Sequence, residues 1–181
     1  LSIAAGEVCW AVVPDTPRAP FQVFVKDKPP VEVAEAKTIV EGLRKSGDAE
    51  LRFVVEVKAR PVLLLSDHVD PRTGDLFGLR LVRLGSLDED EAQHVREQRD
   101  PGLFHLKGER FPGLDEESAA MISAPIRIHQ SAVDIGSPLG RLDQNEMRVL
   151  AERFVTYWEL DLHQLLIGKI RELLRKRESS S

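Results

Sequence analysis

The run Arg60-Pro61-Val62-Leu63-Leu64-Leu65-Ser66 constrains the fold more than any other part of this chain. Four consecutive aliphatics require a strand covered on both faces, and a leading proline is tolerated where its missing N–H has no ladder partner to serve. The run is therefore expected as a buried strand, with Arg60 at its mouth where rigid scaffold meets loop. A long cationic side chain on a fixed backbone is well placed to reach a ligand. The 181 residues suffice for one main domain with a real core. A formal net charge of −5 excludes a globally basic nucleic-acid binder and leaves room for a local basic groove. Cys9 is the only cysteine, so no intrachain disulfide framework exists, and a reducing, cytoplasmic setting is the simplest expectation. Neither a cleavable leader nor an apolar run of about 18 residues is visible, so secretion and membrane insertion are not expected.

Taken in order, Val8 to Val13 reads as a β-strand stopped by Pro14-Asp15-Thr16-Pro17, and Phe21 to Val25 as a second, short one. Val31, Ala34, Ala36, Ile39, Val40 and Leu43 approximate helical spacing and predict a helix from Val31 to Leu43. Leu51 to Val57 reads as a further strand. After the turn-forming stretch Asp67 to Asp75, Leu76 to Leu84 is expected as a strand with Leu79, Leu81 and Leu84 inside and Arg80 and Arg83 on a wet, basic face. Asp88 to Asp100 is polar, with carboxylates at the start of a possible short helix. Leu103 to Leu106 reads as a short strand, and Ser118 to His129 contains a further one, best marked by Ile126-Arg127-Ile128. Asp143 is a candidate cap for a helix carrying Met147, Leu150, Phe154 and Trp158, and Asp161 for a second segment with Leu162, Leu165, Leu166, Ile170, Leu173 and Leu174 on one side.

Four of these stretches, in this order, carry a resemblance: Gly6-Glu7-Val8, Arg60 to Ser66, Ile126-Arg127-Ile128, and Leu139-Gly140-Arg141-Leu142 followed by Met147. Together they resemble the PemK/MazF family of toxin proteins, over roughly residues 6–160. The Arg-Pro-apolar-Ser run is the most specific of the four. The resemblance implies a mainly β fold with helices, an SH3-like β-barrel, here with an inserted helix and C-terminal helices. It implies residues 1–160 as the barrel domain with an insertion at about 15–58, and 161–181 as a helical extension. It also implies a homodimer, a growth inhibitor of a toxin–antitoxin system neutralised by an antitoxin protein, and a metal-independent endoribonuclease acting on single-stranded RNA without a cofactor.

Cleaving RNA without metal requires the ribose 2′-hydroxyl to attack the adjacent phosphorus, so protons must be managed and phosphoryl charge stabilised. Arg60 suits the second role, because a guanidinium stays charged and offers paired donors to phosphate. The alternative is a structural arginine paired with a carboxylate at the barrel rim. The resemblance places a second site residue, typically threonine, after the next strand; Ser86 stands there and keeps the hydroxyl without the methyl. A capping serine ahead of Leu87 is the competing account. Lys58, Arg80 and Arg83 are candidate RNA-binding residues alongside Arg60 if their strands are neighbours; otherwise they are strand charges facing water. His68 lies beside Asp67 and Asp70 and is a candidate for acid–base work or a solvated loop histidine. His68, His94, His105, His129 and His163 lack metal-ligand spacing, so no metal is expected.

Two departures bear on activity. The glycine and acidic residue that the family places before the arginine are replaced by Val55-Glu56-Val57-Lys58-Ala59. About fifty residues separate the first strand from Arg60, where compact members have a short loop. The competing function is accordingly a non-catalytic binding or regulatory protein on the same fold, touching a protein target such as gyrase or an antitoxin-like partner. A third reading is an interaction protein built by the C-terminal helices.

Overall fold

The computed structural model describes residues 3–15, 20–24, 29, 31–46, 52–53 and 55–160. The chain divides into two compact units, Leu1–Ala11 with Pro61–Ser181, and Val12–Arg60. Its strands are β1 (Glu7–Pro14), β2 (Phe21–Phe24), β3 (Val31–Val33), β4 (Arg52–Phe53), β5 (Val57–Leu64), β6 (Asp75–Arg83), β7 (Leu103–Leu106), β8 (Ser118–His129) and β9 (Gly140–Arg141). Its helices are α1 (Ala36–Ser46), α2 (Glu89–Arg96) and α3 (Gln144–Tyr157). The larger sheet has the order β7-β8-β6-β5-β1-β9 and curls as a half-barrel, the fold expected from the resemblance.

In the first unit, Val62, Leu63 and Leu64 are wholly shielded from solvent, as their uninterrupted apolar run requires. The strand starts earlier than expected, at Val57, so Pro61 lies inside β5. It is tolerated because the ladder to β6 begins only at Val62, opposite Arg80, and continues through Leu63–Leu79 and Leu64–Gly78. On the other flank, the Gly6 N–H donates to Leu64 O at 2.8 Å. Along β6 and β8 the register shifts between Leu79, opposite Pro125, and Leu81, opposite Ala120. Arg80 alone therefore stands opposite Met121 to Ala124, so the surplus residues of this irregularity lie in β8. The other edge of the twelve-residue β8 pairs with β7, from Leu103–Met121 to Leu106–Ser118.

The core joins Val8, Leu63, Leu79, Phe104, Leu106, Phe111, Ala120, Ile122, Leu142 and Leu150. α3 contributes Leu150 and begins with the expected Asp143 cap. Asp143 Oδ1 accepts from Glu146 N at 2.8 Å while Glu146 Oε2 accepts from Asp143 N at 2.9 Å, a reciprocal capping box. Two of the four stretches behind the resemblance, the one at Gly6 and the one at Leu139, meet here. Glu7 and Val8 pair with Arg141 and Gly140, Leu142 N donates to Gly6 O at 2.9 Å, and Gly6 has φ +85° with Met147 Sδ against it. Trp158, expected on the core stripe, is 43 % exposed and caps the end of α3, its indole N–H bonded to Ile122 O. The segment expected from Asp161 onward lies outside the described residues.

The second unit holds a three-stranded sheet, order β3-β2-β4, and α1. The helix starts five residues later than expected. Val31-Glu32-Val33 alternates and is β-branched, and it pairs as β3 with Phe21-Gln22-Val23 instead of opening a helix. Val23 and Ile39 are buried, whereas Val40 is half exposed, so the helical stripe is narrower than its apolar positions suggest. The strand expected over 51–57 is broken into β4 and the start of β5, with residues 51 and 54 outside the described set.

Candidate functional site

Arg60, the candidate catalytic cation, and Lys58, a candidate RNA-binding residue, share one carboxylate in the second unit. β1 ends at Pro14, and the next residue, Asp15, donates its backbone N–H to Glu56 O at 2.8 Å. This bond fixes Asp15 beside the start of β5, which carries Lys58 and Arg60 on alternate positions. Lys58 Nζ lies 2.9 Å from Asp15 Oδ2, and the Arg60 guanidinium 3.9 Å from Asp15 Oδ1. The first is a close ion pair; the second exceeds hydrogen-bond length and acts through charge alone. Arg60 keeps 43 % of its side chain exposed, so its donors remain accessible. The rim-carboxylate account of Arg60 thus applies in a loosened form: a partner is present without a bidentate grip.

Arg80, Arg83 and Ser86 belong to the first unit. The expected wet, basic face of β6 is not continuous. At the bulge Arg80 is half buried with its Nε shielded from water, whereas Arg83 is exposed and pairs with Glu116 at 3.0 Å. Leu84 does not continue the strand; it opens a 3₁₀ turn through Ser86 and is buried with Ala92, Val95 and Ala119. Ser86 closes that turn, its hydroxyl donating to Arg83 O at 2.7 Å. The helix after it is capped by Asp88, which accepts from Glu91 N at 2.8 Å. Ser86 therefore serves a turn rather than a helix, and its proton is committed although the residue is exposed.

Beside this turn lies a network with no counterpart in the sequence expectations. Glu117 O accepts from Leu84 N at 2.8 Å, and its carboxylate accepts from Arg96 Nε at 3.1 Å and meets His105 Nε2 at 2.8 Å. Arg96 also pairs with Glu89 at 2.9 Å, and bonds to Glu89 and then Glu117 hold its guanidinium in the charged form. β6, α2 and β7 are thereby tied at one corner. His105 is only 13 % exposed, unlike His68, which is almost wholly solvated beside Asp67 at 3.0 Å. Nothing short of tertiary structure marks Asp15, Glu116 or Glu117 among the chain's 30 acidic residues. The only local hint is the position of Asp15 directly after a strand, between Pro14 and Pro17 in the sequence. Among the described residues no group of three or more His, Cys, Asp or Glu is placed to hold a metal ion, and no helix is long and apolar enough to cross a membrane.

No protein-family model and no curated protein matches the chain. Among solved structures it is similar to the Mycobacterium tuberculosis toxin MazF-mt6, at 20 % identity over 57 % of this chain and 90 % of that one, with a TM-score of 0.43. It is also similar to an endoribonuclease in complex with its cognate antitoxin from a mycobacterial species, at 16 % identity over 57 % of this chain and 84 % of that one, with a TM-score of 0.40.

Proposed function

We propose that this protein is a toxin-like endoribonuclease that cleaves single-stranded RNA without metal, works as a homodimer in the cytoplasm, and is held in check by an antitoxin. The observation that carries the reading is Arg60. It sits on a strand whose next residues are fixed in the core, yet its guanidinium is exposed and only loosely held by Asp15 at 3.9 Å. A rigid backbone with an available planar cation is what stabilising a phosphorane asks for. In the proposed reaction the 2′-oxygen loses its proton and bonds to phosphorus, the P–O5′ bond breaks, and the departing 5′-oxygen gains a proton. Arg60 neutralises the non-bridging oxygens as charge builds. Lys58, in the same unit as Arg60, holds a flanking phosphate.

The test is cleavage of a mixed-sequence single-stranded RNA in the presence of chelator. Arg60→Ala is expected to lower the rate about 100-fold or more, with Arg60→Lys recovering only part because the forked geometry is lost. Equal rates in the parent and Arg60→Ala reject the assignment. One observation favours a non-catalytic RNA-binding or protein-binding reading: the Ser86 proton is committed to Arg83 O and Arg83 itself to Glu116. RNA bound but left intact by the parent selects that reading.

A further inference from the structure

The proposed reaction makes no use of Asp15, although this residue sits between both cations at the start of β5. Its backbone is anchored to Glu56 and its two carboxylate oxygens go to different partners, Oδ2 to Lys58 and Oδ1 to Arg60. A carboxylate offers the same pair of anionic oxygens to a lysine or arginine that a phosphate does. The space between Lys58 and Arg60 is therefore an anion site already filled by the chain's own side chain. The grip is uneven: the lysine contact is close at 2.9 Å and the arginine contact long at 3.9 Å, so Arg60 is the easier cation to take away. Such a half-exposed pair is weak and screened by salt, which makes it displaceable by a polyanion and unsuited to being a structural lock.

We infer that Asp15 is a built-in competitor for phosphate, holding Lys58 and Arg60 at rest and yielding Arg60 when an RNA phosphate arrives. The inference rests on the reading of Arg60 as a phosphate ligand. Asp15, directly after β1, thereby becomes regulatory. RNA engages fully only by evicting a carboxylate, which lowers affinity for stray single phosphates more than for a strand contacting several sites at once.

Fluorescence anisotropy on the full chain tests this, using a labelled single-stranded oligonucleotide that is 2′-deoxy throughout and so cannot be cleaved by attack of a 2′-oxygen. Asp15→Asn keeps the turn chemistry and removes the charge, and Asp15→Ser is a second neutral variant whose result must agree. Both are expected to bind about two- to fivefold more tightly than the parent at about 0.1 M salt. Glu56→Gln, which neutralises an exposed carboxylate one residue before β5, is expected to give a smaller gain. In a Lys58→Gln/Arg60→Gln background, Asp15→Asn is expected to give no gain. Unchanged or weaker binding by the Asp15 variants, or a gain that persists in that background, overturns the inference. Arg60→Gln alone separates the two levels. If it binds as the parent does, the phosphate-ligand reading fails and takes this inference with it; if it binds more weakly while Asp15→Asn is unchanged, only the competitor role of Asp15 is lost.

Discussion

At the scale of single residues, the chain separates positions that can be read in sequence from partners that cannot. Arg83 and Ser86 occupy the strand end and the turn that their neighbours in sequence imply, because strand and turn formation are local, whereas Arg60, expected at the mouth of its strand, lies inside β5, three residues after Val57. Asp15, Glu116 and Glu117, which decide how available the cations are, come from other elements and have no local signature. Cys9 shows a second kind of residue-level consequence. It is wholly buried in β1, and burial first, then the nearby charges of Glu7 and Asp134, push its thiol up from 9.0 to about 11. The folded state therefore favours the protonated thiol more than the unfolded chain does. Its contribution is fully present below pH 9.0 and is lost as pH rises toward about 11. In thermal melts, the stability advantage of the parent over Cys9→Ala is expected to shrink across that window and stay constant below it. A constant difference up to pH 11 contradicts the buried-thiol account. The same raised pKa makes Cys9 a poor nucleophile, so iodoacetamide is expected to label it slowly until the protein is denatured.

At the scale of elements, β1, β5, β6, β7 and α3 follow from hydrophobic period and capping residues, with errors of a few residues at the ends, while α2 is signalled only by its leading carboxylates and β8 only by Ile126-Arg127-Ile128. The failures have physical causes. Periodicity overextends α1 because Val31 and Val33 fit a helical spacing as well as a strand, and pairing with β2 decides between them. The single basic face expected of β6 fails because Arg80 and Arg83 are three residues apart, which strict alternation puts on opposite faces, and because the pairing with β8 shifts register at Arg80, a property of two paired strands rather than of one sequence. β9 is only Gly140 and Arg141, too short for any periodicity, yet it closes the sheet on β1. Its glycine is there for space: a Cβ on Gly140 would stand 2.3 Å from Arg110 O and 2.7 Å from Phe111 Cα. Gly140→Ala is expected to cost about 2 kcal/mol or more, read as a lower urea midpoint with an unchanged slope. An unaltered midpoint shows that the segment around Arg110 moves aside freely.

At the scale of the whole molecule, the chain passes from one compact unit to the other in the middle of two strands, at Ala11–Val12 and again at Arg60–Pro61. β1 and β5 therefore continue through both boundaries, and Asp15 N to Glu56 O bridges the ends of everything from residue 16 to 55. Replacing residues 16–55 by Asn-Gly should turn β1 and β5 into a two-residue hairpin. The shortened chain is expected to keep a single cooperative unfolding transition and the circular-dichroism signature of a β-rich protein. Loss of cooperativity shows instead that the first unit depends on the removed residues. The bridge between Asp15 and Glu56 also sets how this chain tolerates change over time. Once a loop's two ends are pinned by strands, each doubling of its length costs only about 0.6 kcal/mol in closure entropy. Residues 16–55 are thus the stretch where additions, losses and exchanges of sequence disturb the sheet least, and where variation among related chains has the most freedom to reshape what reaches Arg60.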